Sequence, residues 1–144
     1  MHHTVTCTQT LDAEPADVWA AWIDMESYPT WDPREEELRL DGPFGEGATG
    51  WSKQVGPRPG TRFTITDVDP GRGFTTTCPL PGGALEIRHR IEGGTPTGVR
   101  VEKTYTARGP MTLAFRLVFA RGIRASTPGT FAALEAEARS RSLR

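Results

Sequence analysis

Three polar side chains fall in phase with apolar neighbours along two strand-like stretches, and these residues are the ones best suited to chemistry. Between Ala84 and Glu92 the apolar Leu85, Ile87 and Ile91 alternate with Glu86, Arg88 and Arg90, which puts His89 on the apolar side. Between Val99 and Ala107 the set Val99, Val101, Lys103, Tyr105, Ala107 alternates with Arg100, Glu102, Thr104 and Thr106, so Lys103 and Tyr105 also point inward. A partly desolvated imidazole titrates near neutrality and can act as a general base; His89 can equally be a hydrogen-bonded residue of a pocket wall. An inward ammonium must be solvated, paired or neutralised. Lys103 can therefore hold a carboxylate or enolate of a ligand, reach the cavity mouth along its apolar stem, or pair with Glu86 or Asp32 after a bulge. Tyr105 can donate to a ligand carbonyl or satisfy backbone near its strand end.

Other chemistry is poorly represented. No GxSxG, P-loop, HExxH or GxGxxG occurs in the strand-to-helix context it needs, and no cofactor is expected. His2 and His3 lack a third ligand at useful spacing, so no metal is expected either. Asp24, Asp32 and the run Glu35–Glu37 supply carboxylates, the run reading as a solvated edge. The net charge of -1 over 144 residues, with signs interspersed, argues against nucleic-acid binding and against attraction to an anionic membrane. Cys7 and Cys78 are isolated, no secretory segment precedes them, and no apolar run approaches the roughly 20 residues needed to span a bilayer. A reducing cytoplasm without stable membrane insertion is the expectation, with homodimerisation left open.

The elements that position these residues follow from the rest of the pattern. Thr4–Leu11 alternates as a strand, and Glu14–Pro33 places Val18, Trp19, Trp22 and Ile23 on one helical stripe before Tyr28-Pro29 and Asp32-Pro33 break the helix. Strands are expected at Glu35–Leu40, Ala48–Val55, Arg62–Asp69, Gly73–Pro79, Ala84–Glu92 and Val99–Ala107, with Gly93-Gly94 as one of the turns. Connections this short make neighbours antiparallel. Phe63 with Ile65, Phe74 with Thr76, and Trp51 with Lys53 extend the inner face. After Gly109-Pro110, the residues Leu113, Leu117, Ala120, Phe131, Leu134 and Ala138 keep one helical phase, either as one helix kinked near Ser126–Gly129 or as two helices with Thr127 capping the second. The economical α+β solution is a single domain over residues 1–144: a seven-stranded curved antiparallel sheet around a long C-terminal helix, with two short helices after the first strand. A cavity is expected between sheet and helix.

In order and spacing, AEPADVWAAWIDMESYPTWDP, GPFGEGATG, TITDVDPGRGFT and GVRVEKTYTARGP together resemble the START/Bet v 1-like helix-grip superfamily, and within it the polyketide cyclase/dehydrase and lipid transport proteins. The resemblance implies a pocket between the long helix and the concave sheet, entered past the bend at Met25–Pro33 and neighbouring strand loops. It also implies carriers as well as aromatase/cyclases that guide aldol condensation and dehydration with arginine, tyrosine and other polar side chains. Here Arg62, Arg88, Arg90 and Arg100 are expected to face outward, which leaves His89, Lys103 and Tyr105 as the catalytic candidates. The expected ligand-binding set is Trp31, Trp51, Phe63, Ile65, Phe74, Thr76, Leu85, Ile87, His89, Val101, Lys103, Tyr105, Leu113 and Leu117. The leading expectation is binding of a lipid or aromatic polyketide; the alternatives are a cyclase/dehydratase in the same cavity and an interaction module with a vestigial pocket.

Overall fold

The N-terminal alternation becomes strand β1 (His2–Leu11) in a computed structural model that describes residues 1–144. Six further strands follow: β2 (Glu35–Leu40), β3 (Thr49–Gln54), β4 (Thr61–Asp69), β5 (Gly73–Leu80), β6 (Gly83–Thr95) and β7 (Gly98–Arg108). They form one seven-stranded antiparallel sheet in the order β1-β7-β6-β5-β4-β3-β2. The curved sheet grips the C-terminal helix, as the alternation and short connections imply.

Two local readings change. The Gly93-Gly94 pair is a bulge inside β6, where the register with β7 shifts between Glu92 and Gly94, and the turn itself is Pro96-Thr97. In β3 the inner face belongs to Gly50, Ser52 and Gln54, not to Trp51 and Lys53. Gly50 fixes that register, because a Cβ there would lie 2.5 Å from the ring of Phe63, so only glycine lets that inward ring sit against the neighbouring strand.

Helix α1 (Pro15–Ile23) begins with proline in its first turn and buries Val18, Ala21 and Trp22. A 3-10 turn (Met25–Ser27) leads into the single turn α2 (Tyr28–Trp31). Tyr28 is helical (φ -49°, ψ -44°) although Pro29 follows it, against the ordinary preference of a residue before proline. Its buried phenol donates a 2.5 Å hydrogen bond to the carbonyl of Trp22, which ties the bend to the end of α1. Asp32, before Pro33, is extended as expected, and its carboxylate accepts the Arg34 N–H at 2.9 Å.

The last element is continuous: α3 (Thr112–Ala114), a π-helical segment (Phe115–Phe119) and α4 (Ala120–Ser142), which carries Pro128 in its interior. The π-helical irregularity therefore lies about two and a half to three and a half turns before Pro128. Five residues separate buried Phe115 from buried Ala120, and the Ala120 N–H bonds the Phe115 carbonyl, the i to i+5 closure of a π turn. That extra residue rotates the phase, so Leu113 and Leu117 emerge 56% and 69% exposed, while Phe131, Leu134 and Ala138 keep the buried α-helical spacing. Beneath α4, these three pack on Leu11, Val18, Trp22, Phe63, Ile65, Phe74, Val99 and Val101. A smaller cluster, Val5, Ala107, Phe115 and Ala120, holds the π-helical end against β1 and β7.

Candidate functional site

Between the concave sheet and the helix lies a cavity of about 460 Å³. Its apolar walls are Phe63, Leu85 and Ile87 from the sheet and Phe115, Phe119 and Ile123 from the helix. Its polar residues include Glu35, Gln54, Thr76, His89, Lys103 and Tyr105. The register explains their convergence. His89 lies directly opposite Lys103, and Ile87 directly opposite Tyr105, on the paired strands β6 and β7, so the three polar candidates occupy adjoining positions on one wall. On the other face Glu86, Arg88, Arg90 and Arg108 line a separate shallow groove, and Arg62 pairs with Asp41, so these arginines do point away from the cavity.

Of the fourteen expected ligand-binding residues, Phe63, Thr76, Leu85, Ile87, His89, Lys103 and Tyr105 line this cavity. Ile65, Phe74 and Val101 share the inner face but sit under α1 and α4, at most 1% exposed, where helix packing leaves no free space. Trp31 is half-buried against Tyr28, ring centroids 5.1 Å apart, and donates its indole N–H to Ser27 Oγ at 3.0 Å. Trp51 lies on the convex face, under the Arg39 guanidinium at 5.0 Å and over Gly60. Leu113 and Leu117 are turned out by the π segment. None of Trp31, Trp51, Leu113 and Leu117 borders the cavity.

His89 is buried, stacked on Phe74 at 4.3 Å and met edge-on by Trp22 at 5.3 Å. Burial, reinforced by the Lys103 charge, holds its pKa well below the usual imidazole range. Its Nδ1 has no hydrogen-bond partner. A neutral ring clamped between aromatics suits a wall residue better than a proton carrier. Lys103 takes part in none of the ion pairs of the chain. Its expected partners are engaged elsewhere or set apart, Glu86 with Arg108 at 3.3 Å and Asp32 with the backbone of Arg34.

Glu35 is the cavity-lining carboxyl that alternation does not reveal. Simple alternation from Leu38 sends Glu35 outward, but the β2–β3 register shifts between Glu35 and Glu37, and this bulge turns Glu35 into the cavity. There its Oε2 is sealed from water without a hydrogen bond. Desolvation, then the neighbouring Asp32 charge, raise its pKa from 4.5 to about 7, against the opposing pull of Lys103. Cys78, another lining residue, is pushed by burial to about 11 and stays a thiol.

Exposed lining residues locate the opening. Gln54, Arg58, Pro59, Val118 and Gly122 border the cavity and face solvent, whereas Met25, Tyr28 and Asp32 at the bend are buried. The mouth therefore lies between the β3–β4 loop and the start of the C-terminal helix, and the bend forms an inner wall. Arg58 reaches across that mouth to lie 4.8 Å from the ring centroid of Phe119.

The architecture is shared with solved structures at low identity. An aromatase/cyclase (Zhui) from Streptomyces sp. R1128 superposes with a TM-score of 0.78 at 16% identity, over 99% of this chain and 96% of that one. Ara h 8.0201 gives 0.74 at 16% identity, over 97% and 99%, and norcoclaurine synthase from Thalictrum flavum 0.72 at 14%, over 100% and 88%. At these identities the likeness is one of fold. No curated protein matches the sequence. The family model described as polyketide cyclase / dehydrase and lipid transport spans residues 2–139, nearly the whole chain, and the chain belongs to that family.

Proposed function

We propose that the cavity binds a largely apolar small molecule, lipid-like or aromatic polyketide-like, whose acidic or enolisable oxygen sits at Lys103. The observation that carries this reading is an ammonium group that forms no ion pair, in a cavity of about 460 Å³ walled by Phe63, Leu85, Ile87, Phe115 and Phe119. Such a group stabilises an anionic or strongly polarised oxygen at short range, while the walls contribute by burying the ligand's apolar body. Tyr105, two residues along the same strand face, supplies a second donor.

Titration of 2-naphthoate and of its neutral counterpart 2-acetylnaphthalene tests this. Loss of one charge-assisted hydrogen bond corresponds to about a tenfold or greater weakening, so Lys103→Met is expected to weaken naphthoate by that factor and the neutral compound by about twofold or less. Equal losses for the two compounds remove Lys103 from the recognition site.

A second reading, cyclisation and dehydration of a polyketone by acid/base chemistry, is favoured by Glu35. A carboxyl that titrates near neutrality, in the same cavity as Lys103 and Tyr105, can take a proton α to a carbonyl and return one to a leaving hydroxyl while Lys103 steadies the enolate. Turnover of a poly-β-ketone thioester with loss of water, abolished in Glu35→Gln, is its signature; binding without turnover leaves the carrier reading alone.

A further inference from the structure

We propose that the mouth of the cavity is a docking face for an anionic lipid bilayer. Its apolar part is formed by Leu113, Leu117 and Val118, which are 56%, 69% and 64% exposed. They are half of the six large hydrophobic side chains the chain leaves exposed, and they lie within six residues of one another. The π segment places two of them: it keeps the helix buried at Phe115 and Ala120 and turns the intervening Leu117 and Val118 out.

The basic part surrounds them. Arg116, Arg121 and Arg124 are exposed on the same stretch of helix, and Arg58 overhangs it from the β3–β4 loop. Arg121 and Arg124, three residues apart in the regular α4, share one helix face just after the π segment that carries Leu117 and Val118. These four arginines belong to none of the ion pairs of the chain, although arginines elsewhere pair with Asp12, Asp24, Asp41, Glu37, Glu86, Glu92 and Glu137. No carboxylate occurs between Glu102 and Glu135 or between Gln54 and Asp67. A net charge of -1 thus conceals two stretches bordering the mouth, residues 55–66 and 103–134, whose only charged side chains are basic. Composition averages that asymmetry away; under this proposal the face, unlike the chain as a whole, is drawn to an anionic membrane.

Guanidinium groups around protruding aliphatic side chains match an interface of anionic headgroups over hydrocarbon. A second copy fits less well, because a two-fold contact would set these unpaired arginines against their own images. A folded acidic partner would need a pocket for each protruding side chain, whereas lipid closes around them. Contact is peripheral, since no helix is long and apolar enough to cross a membrane. Docked this way, the cavity opens onto the bilayer, where a hydrophobic ligand can enter without crossing water.

Sedimentation with vesicles of phosphatidylcholine alone, and with about one-third phosphatidylglycerol added, tests the proposal without any cavity ligand, so its failure leaves the binding function above untouched. The expected result is pelleting with the anionic vesicles only, reversed at about 0.5 M salt. Leu117→Glu and Arg121→Glu, both at exposed positions, are each expected to weaken it about tenfold or more, while Arg39→Glu on the opposite sheet face leaves it within about twofold. Equal pelleting with both vesicle types, or indifference to the two helix variants, overturns it. So does a dimer that Leu117→Glu dissociates in the absence of vesicle binding, which assigns the face to a second copy. Salt-sensitive retention on polyglutamate without vesicle binding overturns it too, and assigns the face to an acidic protein.

Discussion

Truncating Trp22 to alanine is expected to cost about 3–5 kcal/mol of folding stability, the largest loss for any single side chain discussed here. The indole is 1% exposed and joins three layers at once. It sits on α1, meets Phe74 edge-on at 6.3 Å and His89 at 5.3 Å on the sheet, and belongs to the core cluster that includes Phe131 and Leu134 of α4. Its backbone carbonyl also receives the Tyr28 phenol, so disorder at the end of α1 would free the bend that walls the cavity. Surrounding aromatics cannot collapse into a hole of that size without leaving their own partners, and both the transfer and the cavity contributions should therefore appear. Urea unfolding with an unchanged denaturant slope is the check. Trp51→Ala is the control: its indole lies on the convex face and should cost about 1 kcal/mol or less. Similar losses for the two would contradict this placement of the core.

The second large effect is a pH dependence. Glu35 loses its proton near 4.5 in the unfolded chain and near 7 in the folded one, so between those values the folded chain binds more protons and rising pH favours unfolding. The penalty is absent below this window and complete above it. Taken whole, the difference corresponds to roughly 3 kcal/mol, and the partial exposure of the side chain brings the expected effect to about 2 kcal/mol. His89 acts in the opposite sense. Its depressed pKa costs stability as pH falls below the usual imidazole value of 6.5, and the slope of the wild-type protein is the sum of the two. The difference between Glu35→Gln and wild type isolates the carboxyl: about 2 kcal/mol in favour of the variant at about pH 8, shrinking to nearly nothing at about pH 4.5. A difference that stays constant with pH would place Glu35 in solvent.

The legible and illegible parts of this chain divide along physical lines. Alternation located all the strands to within a few residues, because the sheet has one face toward the helix and one toward water, and that asymmetry is written into every second residue. The wall that carries His89, Lys103 and Tyr105 came from the same rule. Three features escaped it, and each is a place where one residue breaks a period. The bulge at the start of β2 inverts Glu35 relative to Leu38, and three consecutive glutamates give no hint of which one turns in. Gly50 carries no polarity, so Trp51 beside it looked like the inner residue when steric room for Phe63 had decided otherwise. The π turn inserts one residue into the helical phase, which moved Leu113 and Leu117 from an expected cavity wall to the surface. Pro128 drew attention as the break, yet α4 passes through it, with Thr127 Oγ donating to the Ile123 carbonyl at 2.6 Å just before it. The mouth of the cavity, and the unpaired arginines around it, follow from that displaced irregularity.

Native mass spectrometry of the protein purified from its own host, followed by denaturing extraction, tests most directly whether the cavity holds a ligand. The expected result is a bound small molecule, small enough for about 460 Å³, that carries an acidic or enolisable oxygen and is lost or much reduced in Lys103→Met. A protein that is cleanly empty, or one that keeps a neutral hydrocarbon equally well with and without Lys103, contradicts it.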